Sequence, residues 1–409
     1  MSLTVRILIA LVLGLSCGVL LAELAPQWEP GVVSIAQPVG KAWLNGLQMP
    51  LIPLIFGLLV TGVASAADSA RTSGLAGRTL AIFAGALLGS AGIAAVLGTA
   101  LLHWWPVPAG AVGALAGTGS IAEVADVRPS ADWLLGFIPA NPIKSAAEGQ
   151  VVAVVLFALV FGFAVTRIAR EASERLVGVI GAMVDALLVL VGWVLWLGPI
   201  GVFALALVAG SRSGLATAGA LLHYIAFIVV ICIVVTLLVY PLVMLFGRIA
   251  PGRFARAALP AQIIAFSTQS SIASLPAMIG ASDDALAVRP ATRSIVLPLA
   301  ISLFRITSPP ANLGIALYVA ALNGVPLGPM QLVAGVAVAA IVSLAAVGLP
   351  SQITFFTTTG PICLAMGVPV EALPLLLAVE TVPDIFRTVG NVTADMAVTR
   401  IVDQRGAMA

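Results

Sequence analysis

Polar residues in this chain do not recur with the spacing of a surface helix or strand. They gather at the ends of long apolar runs, at roughly 4–24, 42–66, 75–105, 150–168, 177–209 and 218–247. A run of about 20 apolar residues wound as a helix covers the hydrocarbon thickness of a bilayer, so each run is expected to span a membrane. The ten-residue alternation of a membrane barrel is not seen, and helices and closed barrels are the two structures that satisfy every backbone group in lipid. Beyond Arg256 the apolar stretches continue. They are cut at membrane depth by polar clusters at Ser267–Ser274, Thr307–Asn312, Gly348–Thr359 and Pro383–Asp395.

Composition agrees: of 409 residues, 61% are hydrophobic and 9% charged, and the mean hydropathy is +1.15, which excludes a soluble domain with a polar surface. A net charge of +2 leaves no footprint for nucleic acid. Cys17, Cys232 and Cys363 sit singly in apolar runs, so they read as small core residues rather than as a disulfide framework or thiolate metal site. Met1 to Glu23 reads as the first span rather than a signal peptide, its apolar run being long and no cleavage site leading into a soluble domain.

The basic residues orient the chain. With both termini cytoplasmic, thirteen arginines (6, 71, 78, 167, 170, 175, 248, 253, 256, 289, 293, 400 and 405) fall on the inner side. Lys41, Arg128, Lys144 and Arg212 fall outside, a strong positive-inside bias. This assignment requires 257–288 and 323–369 each to enter and leave on one side, as re-entrant hairpins. Leu275-Pro276 is followed 33 residues later by Pro309, and Leu349-Pro350 is followed 33 residues later by Pro383. A hairpin with a proline tip and then a proline-interrupted span, occurring twice, is the pattern of inverted repeats with broken helices at the midplane.

The closing span holds Glu380, Asp384, Arg387, Asn391 and Asp395. At about 100° per residue all five fall within an arc of about 80°, one polar face on a helix where each central charge costs about 2.5–3.5 kcal/mol to insert. One reading is that Asp384 and Arg387 pair at i, i+3 to tie helices together. The other is a solute or ion path. Arg387 offers a planar fork for a carboxylate, Asp384 a partner for an ammonium, and Asp395 with Asn391 hard oxygen ligands for a cation. A zwitterionic or dicarboxylate solute fits that set.

The run DIFRTVGNVTADMAVTRIV from Asp384 resembles the last helix of the dicarboxylate/amino acid:cation symporters, which include the glutamate transporters. GKAWLNGLQMPLIPLIFGLLVTGVAS from Gly40 is similar to the family's second helix, and STQSSIASLP from Ser267 to its serine-rich first hairpin. The resemblance implies an all-α membrane protein of the bacterial inner membrane, with eight transmembrane helices, two re-entrant hairpins and inverted repeats. It further implies a homotrimer embedded in lipid, in which scaffold segments 1–74 and 106–216 hold a transport domain, 75–105 and 217–409, that moves like an elevator. By the same resemblance the protein is a symporter of a small anionic substrate, not an enzyme, and has no cofactor beyond bound Na⁺. Arg387 would then bind a side-chain carboxylate, Asp384 an amino group, and Asn391 and the first hairpin, with Ser270 and Ser271, the main-chain carboxylate, Thr388 lying nearby. Asp395, Asn391 and Asn312 would hold Na⁺. Having both Asp384 and Arg387 favours aspartate or glutamate over a C4-dicarboxylate, which would leave Asp384 without a partner.

The sequence departs from the family at three places. The seventh helix of relatives carries an aspartate and a threonine where Asn312-Leu313-Gly314-Ile315-Ala316-Leu317-Tyr318 has neither, so at least one sodium site is expected to be weak or absent. Gly348 to Ile353 replaces a glycine-rich second hairpin tip, and Gln269 and Ile272 interrupt the first hairpin's serines. Val319 stands where some relatives carry a coupling acid. Arg305 could neutralise Asp384 or Glu380 or reach water at a membrane end. Glu380 is a candidate proton carrier. His103 and His223 are expected in a loop or at the lipid interface. Three alternatives stay open: a C4-dicarboxylate carrier, an uncoupled channel or receptor, and an intramembrane hydrolase using Ser270 or Ser271 with His223.

Overall fold

The computed structural model describes residues 3–72, 74–108, 138–148, 150–213, 215–345 and 351–406, and among them the chain is helix and turn with no strand. Six helical stretches are long and apolar enough to cross a membrane: Val5–Leu24, Glu29–Ser65, Gly77–Trp104, Arg170–Trp196, Ala216–Gly247 and Pro290–Leu322.

The first half differs in detail from the apolar runs. Helix α1 (Leu3–Leu24) matches its run, but the second stretch begins earlier and is two helices, α2 (Glu29–Gln48) and α3 (Leu51–Thr72), which meet at Pro50. Next come α4 (Gly74–Trp104), the short α5 (Pro142–Ala147) and α6 (Val151–Val165), whose 15 residues fall short of a full span. The run at 177–209 proves to be two helices, α7 (Arg170–Trp196) and α8 (Gly198–Ser213), because Pro199 has no N–H for the carbonyl of Leu195. The Trp43 indole donates to Val194 O at 2.8 Å beside that break.

Helices α1 and α8 touch backbone to backbone. A Cβ on Gly14 would stand 2.6 Å from Phe203 O, and one on Gly210 would stand 2.5 Å from Leu15 O. Gly18, one turn from Gly14, meets Leu207 O more closely still. Small residues four apart allow this approach in lipid, where packing rather than the hydrophobic effect holds helices together. Cys17, between those glycines, is exposed rather than in the core; Cys232 and Cys363 are buried.

Helix α9 (Leu215–Gly247) leads to a hairpin of α10 (Pro251–Thr268) and α11 (Ser271–Asp284), which pack together. Its tip is Gln269, in the left-handed region at φ +53°, followed by Ser270, whose Oγ accepts from Ala273 N–H at 3.2 Å. The expected tip, Leu275-Pro276, lies inside α11 instead. A serine cap and a residue bonded to Ala265 O close the turn without proline. A second packed pair follows later, α14 (Pro329–Ala345) and α15 (Ser351–Ala365); its expected tip at Leu349-Pro350 lies outside the described residues.

The seventh span is α12 (Pro290–Leu303) and α13 (Ser308–Leu322), separated at residues 304–307. Pro309 and Pro310 explain the gap: neither supplies an N–H, so the carbonyls of Arg305 and Ile306 cannot join a helical ladder. Asn312 to Tyr318, which lacks the aspartate and threonine of relatives, lies in continuous helix. The chain ends in α16 (Leu373–Val379) and α17 (Thr381–Gly406).

Candidate functional site

Helix α17 is buried along almost its whole length. Its predicted face is polar throughout, and Glu380, Asp384, Arg387, Thr388, Asn391 and Asp395 are each at most 4% exposed. A buried polar stripe of this kind needs partners inside the protein, because neither lipid nor bulk water reaches it. Three elements supply partners: α9, the gap between α12 and α13, and the turn at Glu380.

Glu380 sits where α16 gives way to α17, since Pro383 removes the donor that Val379 O would take. One carboxylate oxygen accepts from Arg387 Nη2 at 2.6 Å and the other from the Tyr224 hydroxyl of α9 at 2.5 Å. The ion-pair partner of Arg387 is therefore Glu380, seven residues back, and not Asp384 at i, i+3 as the tie between helices would require. Both side chains of the pair are about 5% exposed. A dry pair of this kind is weak evidence for stability, since desolvation offsets most of the Coulombic gain. Arg387 Nε remains without a partner, a buried donor still available to an acceptor.

Asn391 is held by the gap in the seventh span. The Thr307 N–H donates to Asn391 Oδ1 at 3.0 Å, which fixes the amide orientation, since only oxygen can face that donor. The Thr307 hydroxyl lies between Asn391 Oδ1 at 2.7 Å and Arg387 O at 2.8 Å, with one proton for the two acceptors. With its oxygen engaged, Asn391 presents its NH₂ group to a ligand, which suits a carboxylate. Thr388 spends its proton on Asp384 O at 2.8 Å.

Asp395 keeps one buried carboxylate oxygen without a hydrogen-bond partner. Arg305, in the gap and partly buried, lies within electrostatic reach of Asp395, Asp384 and Arg387. Asn312 turns elsewhere: its Nδ2 donates to Thr358 Oγ1 of α15 at 2.9 Å, and Thr359 Oγ1 approaches its Oδ1 at 3.5 Å. Ser270 caps α11, and the Phe266–Phe386 ring contact at 6.5 Å sets this hairpin end against α17 beside Arg387.

His223 is buried rather than at the lipid interface: its ring stacks near Trp105, and Nδ1 lies 3.2 Å from the Tyr318 hydroxyl. Ser270 and His223 of the hydrolase alternative are thus each engaged elsewhere. Sequence reasoning missed Tyr224 and Thr307. The first is one of only three tyrosines, set in an apolar run where a buried hydroxyl needs an acceptor. The second was announced by the two prolines that follow it.

A buried helix with Asp384, Arg387 and Asp395 on one face and Glu380 at its start, beside a broken span, is an arrangement that membrane transporters use. The chain belongs to the sodium:dicarboxylate symporter family, whose profile matches residues 3–405. It is 24% identical over 412 residues to the proton/glutamate-aspartate symporter of Escherichia coli, covering 98% of this chain and 92% of that protein. It is 26% identical to the C4-dicarboxylate transport protein of Deinococcus radiodurans, covering 98% and 89%. It is 25% identical to the proton/sodium-glutamate symport protein of Bacillus subtilis, covering 96% and 90%. The family consists of symporters, not enzymes, and the hydrolase alternative is set aside on that ground.

Proposed function

We propose that this protein is a secondary transporter that takes up an acidic amino acid such as aspartate or glutamate together with a cation, the cation being a proton handled by Glu380. The observation that carries the reading is the shared position of Glu380 on Arg387 and Tyr224. A substrate carboxylate seeking the Arg387 fork competes with Glu380 for it. Protonating Glu380 weakens that hold, so anion binding and proton uptake favour each other. Asp384 receives the substrate's ammonium, and the Asn391 amide with the Ser270–Ser271 hairpin end receives its main-chain carboxylate. One relative, named as a proton/glutamate-aspartate symporter, supports this choice of ion, while another is named for both proton and sodium with glutamate.

A second reading, a C4-dicarboxylate carrier, is favoured by one observation. Arg305 lies within electrostatic reach of Asp384, so that carboxylate has a counter-charge even when the solute brings no ammonium. In either case the expected assembly is a homotrimer in the inner membrane, both termini cytoplasmic, with 75–105 and 217–409 moving as the carrier domain against 1–74 and 106–216. Uptake of labelled aspartate, glutamate and succinate into proteoliposomes, under an imposed pH gradient and separately under an imposed sodium gradient, tests the proposal. Aspartate or glutamate accumulation driven by the pH gradient is expected. Binding without accumulation under either gradient would replace it with the uncoupled receptor or channel.

A further inference from the structure

We infer that the cavity between α4, α9 and α17 binds one anionic phospholipid, with an acyl chain seated in the cavity and the phosphate held by Arg78. The cavity measures about 560 Å³ and lies among the start of α4, the end of α9 and the C-terminal half of α17. Phe304 and Ile306, from the gap in the seventh span, also line it. Arg78 is the one polar residue in its lining. From Arg78 to Ala86 helix α4 rises about 12 Å, so the cavity runs from a membrane end well into the hydrocarbon.

That membrane end is the one the basic residues assign to the cytoplasm. Arg248 follows α9 there, and Arg400 adjoins Ile401 of the lining. Arg400 is held by Gly247 O at 3.1 Å and lies 4.0 Å from Asp403, so the exposed Arg78 and Arg248 are the charges that a headgroup meets first. No acidic residue lines the cavity to compete for them. Apolar walls keep water out, and the hydrocarbon that can reach this place in a bilayer is an acyl chain. A basic rim over an apolar slot between spanning helices on the cytoplasmic side suits an anionic headgroup, whose phosphate takes charge-assisted hydrogen bonds from a guanidinium. The occupant also packs on a working part of the molecule. Phe304 stacks on Phe83 of α4 with centroids 4.5 Å apart, and Thr307, three residues on, fastens the same gap to Asn391. A lipid seated there braces the segment that positions the Asn391 amide.

The test is thermal unfolding of the purified, substrate-free protein in detergent, with phosphatidylglycerol or phosphatidylcholine added. Wild type is expected to gain a saturable rise in melting temperature with phosphatidylglycerol that phosphatidylcholine does not give. Arg78→Gln is expected to need about fivefold more phosphatidylglycerol for the same rise, the effect of one basic residue beside anionic lipid. Arg175→Gln removes an equal charge from α7, where Arg175 pairs with Glu171 at the surface, and is expected to behave as wild type. A Cβ on Gly85 would meet nothing within 4 Å, so Gly85→Leu fills the cavity without displacing a neighbour. It is expected to melt like wild type in detergent alone and to lose the saturable rise. Equal responses of wild type to the two lipids would overturn the inference. So would an undiminished rise in Gly85→Leu, or the same shift in Arg78→Gln and Arg175→Gln. None of these readouts depends on which solute or ion is carried.

Discussion

Thr307 and Asn391, 84 residues apart, are joined by the Thr307 N–H at 3.0 Å and its hydroxyl at 2.7 Å, both against the same amide oxygen. This contact sets the broken seventh span on the polar face of the closing helix, and it separates two duties of one side chain. The oxygen of Asn391 serves the fold, and under the proposed function its NH₂ group would serve the solute.

Asn391→Asp keeps the acceptor that Thr307 uses but loses the donors. The variant is expected to fold, with substrate affinity reduced by about tenfold or more, as for a site built to donate that no longer can. Thr307→Val, of similar shape, removes the hydroxyl and is expected to lower stability by about 1–3 kcal/mol, with a smaller effect on affinity once folded. Binding isotherms and thermal unfolding on both proteins separate the two effects.

Arg387→Ala leaves the Glu380 carboxylate buried beside Tyr224 with no cation. A loss of about 3–5 kcal/mol in stability is expected together with abolished uptake. Arg387→Lys restores the charge without the planar fork, so it is expected to recover stability and only part of the uptake. Full uptake by Arg387→Ala would remove the arginine from the substrate path.

Glu380→Gln keeps the shape and an acceptor for Tyr224 while removing the exchangeable proton. Wild-type uptake is expected to rise when the substrate side is made acidic, and the variant to lose that response while still exchanging substrate across the membrane. Retention of the full pH-gradient dependence by Glu380→Gln would end the case for this residue as the proton carrier.

Gly14→Leu and Gly210→Leu place side chains against the backbone oxygens of Phe203 and Leu15. Neither oxygen lies on a flexible side chain that could yield, so a loss above the usual overpacking cost of about 1–3 kcal/mol is expected, with poor recovery of folded protein by size-exclusion chromatography. Gly31→Leu, which meets nothing within 4 Å, is the control and is expected to be neutral.

The polar face of the last helix was legible because five residues at helical spacing cost too much in lipid to be there by accident, and all five turn into the protein. The pairing was not legible. Spacing on one helix suggests partners at i, i+3, whereas the helix break at Pro383 brings Glu380 over Arg387 from seven residues away. The break in the seventh span was legible from Pro309: the helix stops at Leu303 and resumes at Ser308, where Pro309 and Pro310 remove two consecutive backbone donors. The first hairpin tip was not, since a left-handed Gln269 carries no compositional signal. Asp403 was overlooked because its partners, Arg289 and Thr292, lie more than 100 residues away.

The two prolines that open α13 also bear on the energetics of repeated turnover. A carrier whose broken span rewinds on releasing its ion must order and disorder several residues in each cycle, at about 1–2 kcal/mol per residue fixed. With no donors at 309 and 310, rewinding the segment from Phe304 to Thr307 would leave the Arg305 and Ile306 carbonyls without their helical partners, so the open form is the one favoured by the chain itself. Less ordering then has to be repeated in each cycle.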